Sequence, residues 1–321
     1  MAPSREYLQK VQKVVNEVGS YAAAADELGI KRETVRRHLR FLRKQNGEQV
    51  GNKPDEKLFR QLKERYSDAE LRRMANGALL VPEHESIEHD FSGDEIVIGS
   101  FSDTHLGSNY TSVDMVNYAF DEFSRQGVDL ITHCGDVFEG LSHRPGHMYE
   151  CSHLGYSAQL EHGREVFGQW TDTPIYMVDG NHDRWYIKSN GALIVDELCR
   201  GQENLHFLGH DEGNINLNGI IIKLWHGEDG SSYAFSYRIQ KIVESFTGGE
   251  KPNVFLCGHT HKATYIFDRH IHCVSAGAMQ RQSKWMRSKR HASHTGFFII
   301  RMGIGDTGVA WFEPRFYPFY R

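Results

Sequence analysis

Carboxylate and imidazole side chains recur at the ends of short apolar segments in this 321-residue chain. The first segment reads GSFSDTHLGS at residues 99–108, where Asp103 and His105 follow the apolar run at 96–98. Because alternate residues of an extended chain point the same way, we expect these two side chains to reach one bound object. Carboxylate oxygens and imidazole nitrogens are typical ligands of divalent metal ions. A single D-x-H pair is a weak signal, so the prediction depends on the other segments.

Four further segments supply candidate ligands of the same kind. They read HCGDVFEG (133–140), VDGNHDRW (178–185), LWHGEDG (224–230) and CGHTHKA (257–263). Glycine precedes several of the polar residues, as expected where the backbone turns sharply beside a crowded site. Two neighbouring divalent cations need several protein ligands, one of them a carboxylate able to bridge. The additional candidates are Asp136, Asn181, His182, His226, His259 and His261.

The elements that must position these residues alternate between strands and helices from about residue 94 onward. EIVIGSF, DLITHCGD, TPIYMVDG and NVFLCGHT predict strands, and Asn218-Gly219 between alternating apolar residues predicts a hairpin. The mixture predicts an α/β fold, a layered β-sandwich flanked by helices, and argues against a purely parallel sheet. The helical patterns lie near residues 111–126, 155–170, 189–200 and 231–246.

Residues 1–46 are predicted to form a small all-α domain. Gly29 supplies a tight turn between two helices, and Val35, Leu39 and Leu42 recur at helical spacing on the inward face of the second. This arrangement resembles a helix-turn-helix, in which the second helix contacts DNA. The outward arginines of that helix are candidate DNA contacts: Arg32, Arg36, Arg37 and Arg40.

The N-terminal domain is basic although the whole chain carries a net charge of −5. Residues 1–50 hold ten Lys/Arg and six Asp/Glu, a net +4, so the remainder is near −9. A local basic face matters more for phosphate binding than the total charge does. A helical bundle with a solvated basic face, used for dimerisation, is the alternative interpretation. A homodimer is compatible with either one.

The remaining organisation is a linker followed by one large domain. Residues 47–93 are predicted as a linker with a helical segment, in which SDAE at 67–70 matches a capping box, and residues 94–321 as the α/β domain. The apolar runs are too short to span a bilayer, and MAPSREYLQK lacks the apolar core of a secretory signal. Five cysteines without CxxC spacing predict reduced thiols. We therefore expect a cytoplasmic protein without membrane association.

Taken together, the five segments resemble the calcineurin-like metallophosphoesterase superfamily. The family order is D-x-H, GD, GNH(D/E), H and GHxH, and all five motifs occur in that order between residues 103 and 261. The resemblance implies a hydrolase of phosphoesters with two metal ions. The match assigns one metal to Asp103, His105 and His261 and the other to Asn181, His226 and His259, with Asp136 bridging.

The resemblance also implies roles outside the ligand set. His182 corresponds to the outer histidine that contacts the phosphate or protonates the leaving oxygen. Glu139 stands three residues after Asp136, where some members place an acidic or histidine partner. We expect Glu139 to orient His182 and to raise its pKa, with a solvated loop carboxylate as the alternative. Further candidates for substrate contact in the following loop are His143, His147 and His153.

Two divalent cations are the expected cofactors. Oxygen and imidazole ligands without thiolate suit Mn²⁺, Fe or Zn²⁺, and the family resemblance favours Mn²⁺. Such a pair neutralises phosphate oxygens and makes hydroxide available at neutral pH.

Three features favour DNA as the partner. FSDTHLGS and GDVFE are especially similar to the SbcD-type double-strand-break repair nucleases, and a helix-turn-helix would tether the α/β domain to duplex DNA. The segment RQSKWMRSKRH (281–291) interleaves basic residues with a tryptophan, which suits a phosphate backbone and an unstacked base. Its candidate DNA contacts are Arg281, Lys284, Arg287 and Arg290.

The sequence also departs from those nucleases. About 60 residues follow His261, so we expect neither their additional DNA-capping domain nor a region that binds an ATPase partner. An N-terminal helix-turn-helix is not part of their usual plan, and the combination is typical of bacterial or bacteriophage proteins. A DNA nuclease is the first hypothesis. The alternative is a metallophosphatase or phosphodiesterase for nucleotides or phosphoproteins, whose helical domain serves assembly or regulation. The intact ligand set argues against a third, a DNA-binding regulator with an inactive scaffold.

Overall fold

The apolar segments that end in polar turns form the strands of two sheets. The chain divides into two units, residues 1–76 and 77–321. The computed structural model describes residues 4–45, 86–142, 144–228, 235–246, 251–305 and 308–319. The strands are β1 Ser86–Glu88, β2 Glu95–Phe101, β3 Leu130–Cys134, β4 Ile175–Asp179, β5 Leu205–His210, β6 Glu212–Leu217, β7 Ile220–Trp225, β8 Val254–Cys257, β9 Ala263–Asp268, β10 Ile271–Ala276, β11 Gly296–Gly305 and β12 Gly308–Pro318.

Both sheets mix parallel and antiparallel pairs. The strand order is β12-β11-β2-β3-β4-β5 in the first sheet and β1-β6-β7-β8-β10-β9 in the second. Strands β2 to β5 run parallel, as do β7, β8 and β10, while β11, β12 and β9 are antiparallel to their neighbours. The α-helices described in residues 77–321 are α4 Val113–Arg125, α5 Tyr156–Phe167, α6 Arg184–Asn190, α7 Ile194–Arg200, α8 Phe235–Ser245 and α9 Lys284–Ser288.

The two sheets face each other across an apolar core. Ile98 and Val178 of the first sheet share a buried cluster with Ile222 and Leu256 of the second. The first sheet packs its other face against α4, α5 and α7, and α8 covers the outer face of the second. Because the central strands are buried on both faces, they read as near-continuous apolar runs. The predicted sandwich of two sheets flanked by helices is confirmed.

Local sequence signals place two of the connections. Asn218 and Gly219 have φ values of 51° and 97° and turn the chain from β6 into β7, as the hairpin signal predicts. The predicted helix near 189–200 is instead two helices, because Gly191 adopts φ 79° and caps α6. Helix α8 begins at Phe235, and residues 231–234 of its predicted span lie outside the described residues.

Strand β1 lies within the segment predicted as a linker, residues 47–93. Ser86, Ile87 and Glu88 pair in parallel with β6 at the edge of the second sheet. The sheet therefore extends into residues that precede the predicted start of the domain at 94. The predicted helical segment with the capping box at 67–70 lies outside the described residues.

The N-terminal unit contains three helices in residues 4–45: α1 Arg5–Val18, α2 Tyr21–Leu28 and α3 Arg32–Gln45. Gly29 has φ 65°, and its N–H bonds the carbonyls at the end of α2 before α3 begins. Val35, Leu39 and Leu42 are buried, as their spacing predicts. The side chain of Arg40 lies outside the described residues, whereas those of Arg32, Arg36 and Arg37 are exposed.

Candidate metal centre

The candidate ligands lie on loops that leave the carboxyl ends of strands in both sheets. Because β2, β3 and β4 are parallel, as are β7 and β8, the loops that follow them begin at one edge of each sheet. The loops carry Asp103 and His105 after β2, Asp136 after β3, Asn181 and His182 after β4, His226 after β7, and His259 and His261 after β8.

A first group of side chains surrounds His105. Its Nε2 atom lies 3.3 Å from Nε2 of His261 and 3.9 Å from Oδ1 of Asp103. Nε2 of His261 lies 3.2 Å from the same Asp103 oxygen, and all three residues are buried. Metal–ligand bonds of about 2.0–2.2 Å place neighbouring ligand atoms about 3 to 3.5 Å apart. The spacing of this group therefore suits a divalent ion.

Asp136 joins a second group that contains Asn181, His226 and His259. Nε2 of His226 lies 3.2 Å from Oδ2 of Asp136 and 3.3 Å from Oδ1 of Asn181. Nδ1 of His259 lies 2.9 Å from that same Asn181 oxygen. The Asp136 oxygen is also 3.7 Å from Nε2 of His105, so its carboxylate faces both groups. The structure thus brings all seven predicted ligands together.

His226 shows why the arrangement requires a positive charge. Its Nδ1–H donates to the carbonyl of Cys134 at 2.7 Å, because a carbonyl only accepts. In the neutral ring the Nε2 lone pair then faces the oxygens of Asp136 and Asn181, which also carry lone pairs. Only a proton or a cation between these atoms makes the contact favourable. Carbonyl anchoring of the distal nitrogen is typical of histidines that bind metals.

The histidines of the two groups differ in their affinity for protons. Burial lowers the pKa of His105, but the Glu139 carboxylate and the Asp136 charge outweigh it and raise the pKa to about 9. Burial also lowers the pKa of His226, but the Asp136 charge outweighs burial and raises that pKa to about 9. Burial, followed by the nearby His226 charge, lowers the pKa of His259 to about 4. The carboxylates of Asp136 and Glu139 therefore favour positive charge at His105 and His226.

The backbone brings the D-x-H and GHxH pairs together in a different way from the one that the sequence predicts. Strand β2 ends at Phe101, and Asp103 and His105 have φ values of 51° and 47°. His259 and His261 likewise have φ values of 73° and 55° beyond the end of β8. An extended chain is therefore the wrong reason for the convergence. Left-handed backbone costs a non-glycine residue about 1–2 kcal/mol, and such strain is typical of functional sites.

Two glycines leave the space that the carboxylates occupy. A Cβ atom on Gly180 would lie 2.2 Å from Oδ1 of Asp136 and 2.7 Å from Nε2 of His226. A Cβ on Gly258 would lie 2.1 Å from Oγ of Ser102 and 2.8 Å from Oδ2 of Asp103. The GNH and GHxH motifs therefore need glycine at these positions for the ligands to approach one another.

His182 lies beside the ligands with one ring nitrogen already engaged. Its Nδ1–H donates to the main-chain carbonyl of Glu139 at 2.8 Å, and its main-chain N–H donates to Oδ1 of Asp136 at 2.8 Å. Its ring packs at 3.9 Å between centroids on Trp185 and meets the edge of His105 at 4.5 Å. These contacts leave Nε2 as the atom of His182 available to a substrate.

The Glu139 carboxylate has partners other than the predicted one. His147 Nε2–H donates to its Oε1 at 2.8 Å, while Oε2 lies 3.1 Å from Nδ1 of His105 and accepts from Gln280 at 2.9 Å. Its main-chain carbonyl, and not its carboxylate, holds His182. Burial lowers the pKa of His182 to about 4, although the Glu139 charge and the bond to the Glu139 carbonyl raise it, in the predicted direction. Glu139 is therefore a buried anchor of His105 and is not a solvated loop carboxylate.

We expect Glu139→Gln to weaken binding of Mn²⁺ by about 10- to 100-fold, the usual effect of losing the acceptor behind a metal-binding histidine. The amide retains one acceptor oxygen, so His105 or His147 loses its partner. Calorimetric titration of the metal-free protein with Mn²⁺ measures the change. Glu150→Gln is the matched control, because Glu150 lines the same cavity but pairs with Arg144 at 2.9 Å. Equal affinities in both variants would contradict this role.

Of the two further histidines that the structure describes, His147 contacts the candidate centre through Glu139. Ser142 N–H donates to His147 Nδ1 at 3.1 Å, which fixes the proton on Nε2. His153 instead stacks on His162 with ring centroids 4.0 Å apart. His143 lies outside the described residues.

Asp183 belongs to the GNHD segment and was not among the predicted site residues, yet it supports the candidate centre. Its buried carboxylate accepts the main-chain N–H groups of Val137 and Phe138 at 3.1 and 2.8 Å and that of Gly180 at 2.8 Å. It therefore ties the loop of Asp136 to the loop of Asn181. The D/E alternative that ends the motif was the available signal, since either residue supplies a carboxylate.

We expect Asp183→Ala to destabilise the folded protein by about 3 kcal/mol or more, because it leaves three buried N–H groups without an acceptor. Urea denaturation followed by tryptophan fluorescence measures the loss. Asp172→Ala, which removes an exposed carboxylate that accepts from the neighbouring Thr171 hydroxyl, serves as the control. A loss below about 1 kcal/mol, the worth of one ordinary hydrogen bond, would contradict the tie between the loops.

The two groups of candidate ligands line a cavity of about 560 Å³. Its wall includes His105, Asp136 and His182 together with Trp185 and Trp285. Trp285 belongs to the predicted basic segment, so the structure brings that segment to the cavity rim. The basic side chains of the segment are exposed: Arg281, Lys284, Arg287 and Arg290.

Comparison with known proteins gives a family and distant relatives. Residues 96–299 match the model of the calcineurin-like phosphoesterase superfamily domain. The DNA polymerase II small subunit of Halobacterium salinarum is 23% identical over 228 residues, which cover 58% of this chain and 44% of that protein. The match thus spans less than half the length of this curated relative.

Solved structures of similar fold include an archaeal phosphodiesterase, 15% identical with a TM-score of 0.41, matched over 69% of this chain and all of that one. The phosphoesterase Yfce of E. coli is 19% identical with a TM-score of 0.37, over 68% of this chain and 98% of its own.

The matched family model and the convergent candidate ligands agree on a phosphoesterase domain with groups that could hold metal ions. The chain belongs to the calcineurin-like phosphoesterase superfamily, whose domain covers residues 96–299. The donor set of carboxylates, imidazoles and one amide suits divalent metals. Among the residues that the structure describes, no helix is long and apolar enough to cross a membrane.

Proposed function

We propose that this protein is a two-metal phosphodiesterase that cleaves DNA and is tethered to it by its N-terminal helices. The observation that carries the proposal is the cavity, which joins the convergent ligands to Trp285 of a segment whose basic side chains are exposed. Asp136 faces both ligand groups, which supports a pair of ions sharing one carboxylate. Mn²⁺ is the proposed metal, with Fe or Zn²⁺ as alternatives that the same donors accept.

The side chains have separable tasks in this proposal. Two divalent cations, when bound, neutralise phosphate oxygens and lower the pKa of water. Asp103, His105 and His261 hold one site, Asn181, His226 and His259 hold the other, and Asp136 serves both.

His182 presents Nε2 to the substrate, and the Glu139 carbonyl prevents its ring from turning. An anionic phosphate in the cavity stabilises the imidazolium and raises the pKa of His182 from about 4. The protonated ring can then give its proton to the departing oxygen.

The basic segment supports a polyanionic substrate. Residues 277–296 contain no Asp or Glu, while they include five Lys or Arg. Phosphate backbones bind such surfaces through charge, with an affinity that falls as salt is added. Arg281, Lys284, Arg287 and Arg290 are therefore proposed as DNA contacts, because they lie on the segment that lines the cavity.

The N-terminal unit supports the proposed tethering to DNA. Helices α2 and α3 meet at a glycine turn, and α3 exposes Arg32, Arg36 and Arg37, as a recognition helix does. Arg40 completes the proposed set. The similarity to a protein named as a DNA polymerase subunit agrees with a role on DNA. Self-association is proposed as well, because helix-turn-helix proteins commonly bind as dimers.

The deciding experiment is cleavage of end-labelled single-stranded and duplex DNA with Mn²⁺, beside bis-p-nitrophenyl phosphate. The wild type is compared with Asp136→Asn, which removes the shared carboxylate and measures contaminating nuclease. We expect the wild type to cleave both DNA and the small diester, and the variant to cleave neither. Cleavage of the small diester with intact DNA would overturn the nuclease proposal and leave the hydrolase in place.

A phosphatase or phosphodiesterase for nucleotides or phosphoproteins is the second candidate. The cavity favours it, since about 300–1,000 Å³ is the usual volume of a small-molecule site. The double variant Arg36→Ala/Arg37→Ala separates the two candidates. The nuclease proposal expects weaker retention on DNA and slower DNA cleavage at unchanged turnover of the small diester. The second candidate expects no change in either reaction.

A further inference from the structure

Trp285 lines the cavity with 44% of its surface exposed, and its ring lies 5.7 Å from that of His291 between centroids. It lies in α9, whose first turn is capped by Ser283 Oγ accepting the N–H of Met286 at 3.2 Å. Met286 is buried and also lines the cavity, so it packs the short helix α9 against the cavity wall. A large aromatic ring is thus displayed to solvent on a helix that is packed against the site.

The charged residues near Trp285 in the sequence are all basic. Lys284 and Arg287 lie within two residues of it, and Arg281 and Arg290 lie on the same segment. In the part of the chain that the structure describes, these four side chains have no ion pair within 4 Å. By contrast, acidic residues elsewhere on the wall are paired, Glu150 with Arg144 and Glu228 with Arg184. The segment that carries Trp285 therefore exposes basic side chains that are available to a polyanion.

We propose that Trp285 is a base-stacking subsite, which takes an unpaired base of a nucleic acid strand whose phosphate lies at the metal centre. The substrate class is therefore single-stranded or locally unpaired DNA. This inference rests on the proposed nuclease function and adds the form of the strand. Exposed aromatic rings beside cations bind single strands through stacking and charge, largely without regard to sequence.

The shape of the site favours an unpaired strand over a duplex. In a duplex both faces of an internal base are covered by its neighbours, so a tryptophan can stack only on a terminal or displaced base. The cavity of about 560 Å³ lies within the range that encloses small ligands, which suits one or two nucleotides. Trp185 packs on His182 and lines the same cavity, so both tryptophans lie on the wall of one site.

The test measures binding without catalysis. A fluorescein-labelled oligo-dT and a blunt hairpin duplex are titrated with the full-length protein in EDTA, and anisotropy is recorded. We expect Trp285→Leu to weaken binding of oligo-dT by about 5- to 150-fold, the range that stacking of 1–3 kcal/mol implies. Trp285→Phe should recover most of the loss because it keeps an aromatic face. Hairpin binding should be nearly the same in all variants.

Trp311→Leu is the matched control, because Trp311 is 43% exposed on β12 and does not line the cavity. Equal weakening by Trp285→Leu and Trp311→Leu, or none by either, would overturn the stacking subsite. A cleavage assay of the same variants with Mn²⁺ separates the two proposals. If the wild type leaves both DNAs intact, the nuclease function fails. If it cleaves DNA and Trp285→Leu keeps the wild-type ratio of single-strand to duplex cleavage, only the subsite fails.

Discussion

Asp136→Asn is expected to remove binding of one of two Mn²⁺ ions and to lower turnover of bis-p-nitrophenyl phosphate by about 10²–10³-fold or more, the scale of losing one key charge-stabilising group. Oδ2 of Asp136 lies 3.2 Å from Nε2 of His226 and 3.7 Å from Nε2 of His105. It is the one carboxylate of the described residues placed between both groups. An amide keeps the shape of the side chain and removes the charge that two cations share.

The binding stoichiometry is the decisive measurement for this variant. Calorimetry and elemental analysis after dialysis should give two Mn²⁺ per chain in the wild type and one or fewer in Asp136→Asn. Asp129→Asn is the control, because Asp129 precedes β3 at its opposite end and accepts the N–H of Val97 at 2.8 Å. Two ions retained by Asp136→Asn with full turnover would contradict the bridging role.

His182→Ala is expected to lower cleavage of DNA by about 10²–10⁴-fold, the usual worth of a positioned proton donor. Turnover of bis-p-nitrophenyl phosphate should fall much less, because nitrophenolate departs without a proton. Mn²⁺ binding should be unchanged. The main-chain N–H of residue 182 still donates to Asp136 in the variant, so the bridging carboxylate keeps its position.

The ratio of the two rates distinguishes a proton donor from a residue that only supports the fold. We expect the ratio of DNA to nitrophenyl ester cleavage to fall at least about tenfold in His182→Ala, since proton transfer alone contributes 10²–10⁴-fold. His206→Ala is a control, because His206 of β5 stacks on Tyr176 of β4 and does not line the cavity. Equal losses with both substrates would contradict proton transfer by His182.

The sequence by itself predicted the candidate ligands and the elements that carry them. Residues of five short motifs come together although their strands belong to two sheets, because each motif follows the carboxyl end of a strand. The hairpin at Asn218-Gly219 and the inward face of α3 also follow from sequence. These features depend on spacing and turn chemistry within a few residues, which local sequence expresses directly.

Only the tertiary structure decided how the ligands are held and what surrounds them. Asp103 and His105 adopt left-handed backbone, which is uncommon for any non-glycine residue, so contacts across the site must favour it. The Glu139 carboxylate accepts from Gln280, which is 141 residues away in sequence. The same carboxylate oxygen lies beside His105, whereas the sequence predicted His182 as its partner. β1 pairs with a strand more than 120 residues later, and Trp285 reaches the cavity through the packing of Met286. Such partners are chosen by long-range packing, which no local pattern encodes.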